Sequence, residues 1–202
     1  LPFVVPSYIN QKLKFNIKKN LNIKKKYFFY PAQFWEHKNH LNVVRAFHEF
    51  KKKSNEFVLV LSGEKKNFYQ KVKKEVEKKF LSKDVLFLGR VEDKFMRSLY
   101  KNAELTIFAS FCGPTNIPPL EALATGSPLI CSKSYSMPNQ VKKGAILFNP
   151  NSPKDLYKKM LYLSKNKKLK RTISREGKKI IKNYNQFHFN KLLNNYINKL
   201  IN

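Results

Sequence analysis

Residues 113–128 read GPTNIPPLEALATGSP, and two apolar runs flank them, 105–109 before and 129–131 after. The implied order is strand, turn, helix start, strand. That order suits a phosphorylated ligand. The first turn of a helix carries backbone N–H groups without intrahelical partners, and the helix dipole adds partial positive charge there. Gly113 allows backbone to approach a ligand closely. Pro118 and Pro119 fit a first helical turn, where a missing N–H costs little.

The same alternation continues outward in both directions. Strands are predicted at 26–30, 57–61, 85–88, 105–109, 128–131 and 145–148, and helices at 39–53, 68–81, 94–102, 118–125, 153–164, 167–184 and 187–201. In the first helix Leu41, Val44, Ala46, Phe47 and Phe50 fall on one face, toward a core, while 68–81 is strongly basic on its outer face. Residues 1–26 show no clear period and hold Pro2, Pro6 and many Lys, which reads as a linker entering the domain. No internal repeat stands out. Apolar strands alternating with helices indicate a doubly wound α/β fold, a parallel sheet covered on both faces. Such sheets bind ligands beyond the carboxyl ends of their strands, near a switch in strand order. Chemistry is therefore expected in the turns 33–38, 62–66, 89–91, 110–116 and 132–140.

The 202 residues suffice for one substantial domain, and a hydrophobic content of 42% excludes a disordered polymer. The charge is extreme: 41 Lys and Arg face 13 Asp and Glu, a net +28. Five of the basic residues are Arg (Arg45, Arg90, Arg97, Arg171, Arg175), so 36 are Lys. A nucleic-acid reader would use more Arg, whose planar fork suits phosphates and base edges. Lys alongside abundant Asn, Ile, Phe and Tyr points instead to a coding bias toward A and T. Solvated Lys faces are the leading reading; attraction to an anionic membrane surface comes next, and nucleic acid last.

Cys112 and Cys131 do not make a disulfide framework of the secreted type, and a reducing cytosol is the simpler setting. No apolar run approaches the roughly 20 residues that span a bilayer, and residues 1–6 lack the pattern of a signal peptide. The expected location is cytoplasmic, with peripheral association at the inner face of the cell membrane as the variant. The chain starts at Leu1 rather than Met and is expected to be a piece of a longer protein.

Several blocks at the strand-end turns match one family in order. They are Pro31-Ala32-Gln33-Phe34-Trp35-Glu36-His37-Lys38-Asn39-His40; Phe87-Leu88-Gly89-Arg90-Val91; Phe111 through Ala122; Ser136-Met137-Pro138; and Gly144 through Pro150. With these blocks, residues 27 to 200 resemble the family-4 retaining glycosyltransferases. The similar part is the C-terminal, nucleotide-sugar-binding half of their two-Rossmann-domain GT-B fold. The resemblance implies a donor-binding domain at 27–184, fed by a linker at 1–26 from an N-terminal acceptor domain. It also implies a C-terminal helix at 185–202 that packs back toward that domain.

The resemblance also implies roles. Lys38 would pair with the donor diphosphate, and backbone around Thr115, Asn116 and Ile117 would hold the distal phosphate. Glu121 matches the second Glu of the family's Glu-x7-Glu pattern and would bind ribose hydroxyls, as a carboxylate that accepts two bonds from a vicinal diol. Arg90 and Val91 would lie beside the base, and Gly63 would be a further donor-binding residue. Three departures bear on this. Gly113 stands where the first Glu of the pattern, which usually touches the sugar, would be. Gln33 stands where many relatives carry a phosphate-binding Arg, and Lys142-Lys143 replaces a common Gly-Asp.

The implied activity is hexosyl-type transfer from a UDP- or GDP-sugar to a polysaccharide or lipid-linked glycan. It would proceed with retention, with no cofactor and no divalent metal; no Asp-x-Asp pair occurs in the sequence. His37 and His40 share a spacing that invites a metal reading, but they lack partners in register and read as surface or turn residues. Cys112 has no evident His partner and reads as no nucleophile. Thr115 and Asn116 would also serve as helix caps. The rival readings are a non-catalytic basic module docking on anionic membrane or nucleic acid, and a transferase half that only scaffolds a partner. No specific nucleic acid is expected.

Overall fold

Six apolar segments pair side by side in a parallel sheet in the computed structural model, which describes residues 4–11, 20–113 and 116–201. The strands are β1 (Lys26–Pro31), β2 (Phe57–Ser62), β3 (Val85–Phe87), β4 (Leu105–Phe108), β5 (Leu129–Ser132) and β6 (Ala145–Phe148). Their order is β3-β2-β1-β4-β5-β6, and every neighbouring pair is parallel. The chain therefore winds one way from β1 to β3 and the other way from β4 to β6. The switch falls between β1 and β4, where Phe28 lies opposite Leu105 and Phe29 opposite Thr106.

All six residues of β2 are buried, as are Tyr27–Pro31 of β1. Strands covered on both faces have no reason to alternate in polarity, which is why these runs are uniformly apolar. The cover is helical. The helices are α1 (His40–Lys51), α2 (Tyr69–Lys78), α3 (Asp93–Asn102), α4 (Ile117–Thr125), α5 (Met137–Val141), α6 (Pro153–Lys165), α7 (Lys167–Ile181) and α8 (Gln186–Ile201). Helix α1 packs on α2 and α6, and α4 packs on α3 and α7. The buried face of α1 carries Val43, Val44, Ala46, Phe47 and Phe50, while Leu41 is half-buried at its margin. Phe28 meets Phe50 edge-on at 4.8 Å and stacks on Phe57 at 4.9 Å, tying α1 to β1 and β2.

Local chemistry sets the helix ends. Ser152 and Asn166 accept from the backbone N–H groups of Asp155 and Leu169, capping α6 and α7, each bond being worth about 1 kcal/mol. Gly126 ends α4 in the left-handed region at φ 75°. The short helix α5 was not expected; five residues are too few to show a helical period.

Part of the segment read from sequence as a linker packs onto this domain. A 3-10 turn at Ser7–Asn10 sits against α3 and α4, Ile9 is fully buried, and Arg97 donates to the Ile9 carbonyl at 2.5 Å. At the other end, α8 buries no residue, and Phe187, Tyr196, Leu200 and Ile201 are exposed. Among the described residues no helix is long and apolar enough to cross a membrane.

Candidate functional site

The turns that follow β1, β2 and β3 are stitched together past the carboxyl ends of their strands. Ala32 N–H bonds to the Ser62 carbonyl (2.8 Å), Phe34 N–H to Glu64 (3.1 Å), and Gly63 N–H to Gly89 (2.8 Å). Gly63 is required for this. Its φ is +148°, and a Cβ there would stand 2.3 Å from the Ala32 oxygen. Beside these turns, at the switch between β1 and β4, lies a cleft of about 440 Å³, a volume suited to a small ligand. The structure brings Gln33, Lys38, Gly63, Arg90, Val91 and Glu121 to its wall. Tyr8, Asp93 and Phe108 line it too, and sequence reasoning did not single them out.

Lys38 closes the 3-10 turn Glu36–Lys38, and Asn39 then takes the left-handed conformation at φ 61°. The Asn39 side chain donates to the carbonyls of Ala109 (3.1 Å) and Pro150 (2.8 Å). The Tyr30 hydroxyl donates to the Lys38 carbonyl. Phe111 N–H and the Ser110 hydroxyl both donate to the His37 carbonyl, at 2.8 and 3.2 Å. These bonds hold the β1 turn to the β4 turn, so the Lys38 ammonium is placed by two strands. The ammonium lies 5.8 Å from the centre of the Phe108 ring. Among the described residues no carboxylate pairs with it within 4.0 Å. Burial pushes its pKa below the ordinary lysine value. A partly desolvated cation without a counter-charge is a place for an anion.

Glu121 comes from the second turn of α4 and is 3% exposed. Both of its oxygens are taken by phenols: Tyr100 donates to Oε2 at 2.5 Å, and Tyr8 donates to Oε1. Burial raises the pKa of this carboxyl, and the two phenol bonds work against that rise. Neither tyrosine was legible as a partner, because they lie 21 and 113 residues away along the chain.

The start of α4 offers fewer amides than the sequence reading assumed. Pro118 and Pro119 carry no N–H. The N–H of Asn116 bonds to Gln140 Oε1 (3.2 Å), and Gln140 Nε2 returns a bond to the Asn116 carbonyl (2.6 Å). The Asn116 peptide is thus committed to α5. Gly113 (φ +134°), Asn116 and Ile117 stand outside the lining of the cleft, and Thr115 lies outside the described residues. A Cβ at Gly113 would come within 2.6 Å of the Asn116 side chain, so glycine is needed here for packing within the loop.

His40 corrects an expectation. It is fully buried rather than a surface or turn residue. Its ring stacks on Phe34 at 4.4 Å and lies 4.9 Å from Tyr30. Nε2 is 3.3 Å from the Ala32 carbonyl, and among the described residues Nδ1 has no hydrogen-bond partner. Burial pulls its pKa down to about 3. His37 is half-buried on the turn itself. Cys112 and Cys131 are free thiols. Among the described residues no group of three or more His, Cys, Asp or Glu is placed to hold a metal ion.

The family described as "Glycosyl transferases group 1" matches residues 12–180. Over 132 residues, 65% of this chain, the sequence is 27% identical to the O-antigen chain mannosyltransferase RfbU of Salmonella typhimurium. The chain spans 36% of that protein's length. The fold is similar to the C-terminal domain of a glycosyl transferase group 1 family protein from Francisella tularensis. The TM-score is 0.76 at 20% identity, over 87% of this chain and 95% of that one. It is also similar to HepE of Anabaena, solved in complex with UDP-glucose. The TM-score there is 0.81 at 16% identity, over 96% of this chain and 53% of that one. At these identities the structural likenesses establish the fold.

Proposed function

This chain belongs to the glycosyl transferases group 1 family, and from that premise we propose that it supplies the donor-binding half of a glycosyltransferase. The donor is a UDP- or GDP-sugar, and the product is a hexosyl unit on a polysaccharide or lipid-linked glycan, formed with retention and without a divalent metal. One observation carries the reading. A cleft at the β1–β4 switch holds a partly buried ammonium, Lys38, without a carboxylate partner among the described residues, and a buried carboxylate, Glu121.

Those two groups suit the two ends of a nucleoside diphosphate. Charge builds on the diphosphate as the glycosidic bond opens, and a fixed cation in a partly water-excluded site favours that state. Lys38 is that cation. Glu121 accepts from ribose hydroxyls, while Arg90 and Val91 flank the base and Gln33 and Gly63 shape the wall between them. With the Asn116 N–H engaged, Lys38 bears most of the phosphate; Ile117 N–H, Gly113 and Thr115 are secondary. The acceptor is bound by a second domain joined through residues 1–26, and the apolar side chains of α8, Phe187 and Leu200 among them, pack against it. The two free thiols support a cytoplasmic setting.

Titration calorimetry with UDP and GDP tests the site. Lys38→Ala and Glu121→Ala should each weaken binding by about tenfold to a hundredfold, the loss of a charge-assisted contact. Equal heats for wild type and both variants would reject the assignment.

A further inference from the structure

Glu121 meets the cleft with both oxygens occupied, and its two partners are held very differently. Tyr100 belongs to α3, is fully buried, and packs edge-on against Phe29 at 5.1 Å. Its hydroxyl is committed to Glu121 Oε2. Tyr8 comes from the peripheral turn Ser7–Asn10, is half-buried, and lines the cleft itself. That turn is secured without the phenol, by the buried side chain of Ile9 and the Arg97 bond to the Ile9 carbonyl. Tyr8 packs at the margin of the core and lines the cleft, and a rotation about χ1 would withdraw its phenol while the backbone stays in place.

We infer that Tyr8 sets donor affinity in this cleft: its phenol satisfies Glu121 while the cleft is empty, and the ribose hydroxyls of the bound nucleotide take its place. The inference rests on the donor reading given above. A carboxylate that is 3% exposed presents little more than its cleft-facing side to a ligand. Tyr8 stands on that side, whereas Tyr100 approaches from the core. Leaving Glu121 bare in the empty state would strand a buried charge. The phenol avoids that, and it competes with the ligand for the same lone pairs. Apparent affinity falls by the fraction of time that Tyr8 is seated. Tyr100 is a positioning residue, holding Oε2 so that Oε1 faces the ligand.

The two tyrosines should therefore respond in opposite directions. The full 202-residue chain is titrated with UDP and GDP and with their 2′,3′-dideoxy forms, as wild type, Tyr8→Phe and Tyr100→Phe. Tyr8→Phe is expected to bind the ribonucleotide about fivefold to tenfold tighter, the worth of one such bond, with no gain for the dideoxy form. Tyr100→Phe is expected to bind the ribonucleotide more weakly, with thermal melting confirming that it folds. Equal or weaker ribonucleotide binding by Tyr8→Phe, or an equal gain for the dideoxy form, overturns the inference and leaves the donor site standing. Absence of binding by wild type and Tyr8→Phe alike, at millimolar UDP and GDP, removes the donor reading and this inference with it.

Discussion

Acidification should destabilise this protein through His40, and the size of the effect follows from its surroundings. The ring lies between Phe34 and Tyr30 with Nε2 toward the Ala32 carbonyl. The neutral tautomer with its proton on Nε2 satisfies that carbonyl. A second proton would go to Nδ1, which has no acceptor among the described residues, in a fully buried site near the Lys38 charge. The folded pKa is accordingly about 3 against an ordinary 6.5. Between those values the unfolded chain binds a proton that the folded chain refuses. Stability is thus complete above pH 6.5 and falls as pH drops, the loss levelling off below pH 3.

At pH 5 the linkage relation gives a loss of about 2 kcal/mol from this one group, and the figure barely changes if the folded value is about one unit higher. Against a typical domain stability of about 5–15 kcal/mol, that is readily measured. The assay is urea unfolding followed by circular dichroism at pH 8 and pH 5, for wild type and His40→Gln. Glutamine keeps an N–H donor for Ala32 and does not titrate. Other ionising groups are common to both proteins and cancel in the comparison. His40→Gln should lose about 2 kcal/mol less than wild type between the two pH values. Equal losses would refute the reasoning.

Other substitutions test how the cleft is built. Gly63→Ala puts a Cβ 2.3 Å from the Ala32 oxygen at φ +148°; it should cost about 3 kcal/mol in urea unfolding and weaken UDP or GDP binding, because the β1 turn must move. Asn39→Ala removes the two side-chain bonds to Ala109 and Pro150 and sits poorly at φ 61°. A loss of about 2–4 kcal/mol is expected, with weaker nucleotide binding as the Lys38 turn loosens. Asn39→Gly should recover about 1 kcal/mol of that, the backbone share alone.

Much of the architecture was readable because it rests on short-range patterns. Uniform apolar runs separated by amphipathic helices require a parallel sheet with two covered faces, and the boundaries of β1, β2, β4 and β6 lie within a residue of those expected. The turn after each strand was also legible, and the family resemblance, residue by residue, singled out Gln33, Lys38, Gly63, Arg90, Val91 and Glu121 before their proximity was known. The misses share a cause. His40 looked like a turn residue because a lone polar residue between Asn39 and Leu41 has no local sign of burial. The Asn116 amide looked free because Gln140, which occupies it, is 24 residues away.

The chain by itself determined which segments are strands and which are helices, and that the candidate cleft lies at strand ends, since backbone period and side-chain polarity act over a few residues. Tertiary packing alone decided the strand order and the partner of each polar group. Among the described residues it left the Lys38 ammonium without a carboxylate and Glu121 between two phenols, because burial and hydrogen bonding depend on which distant elements meet at the β1–β4 switch.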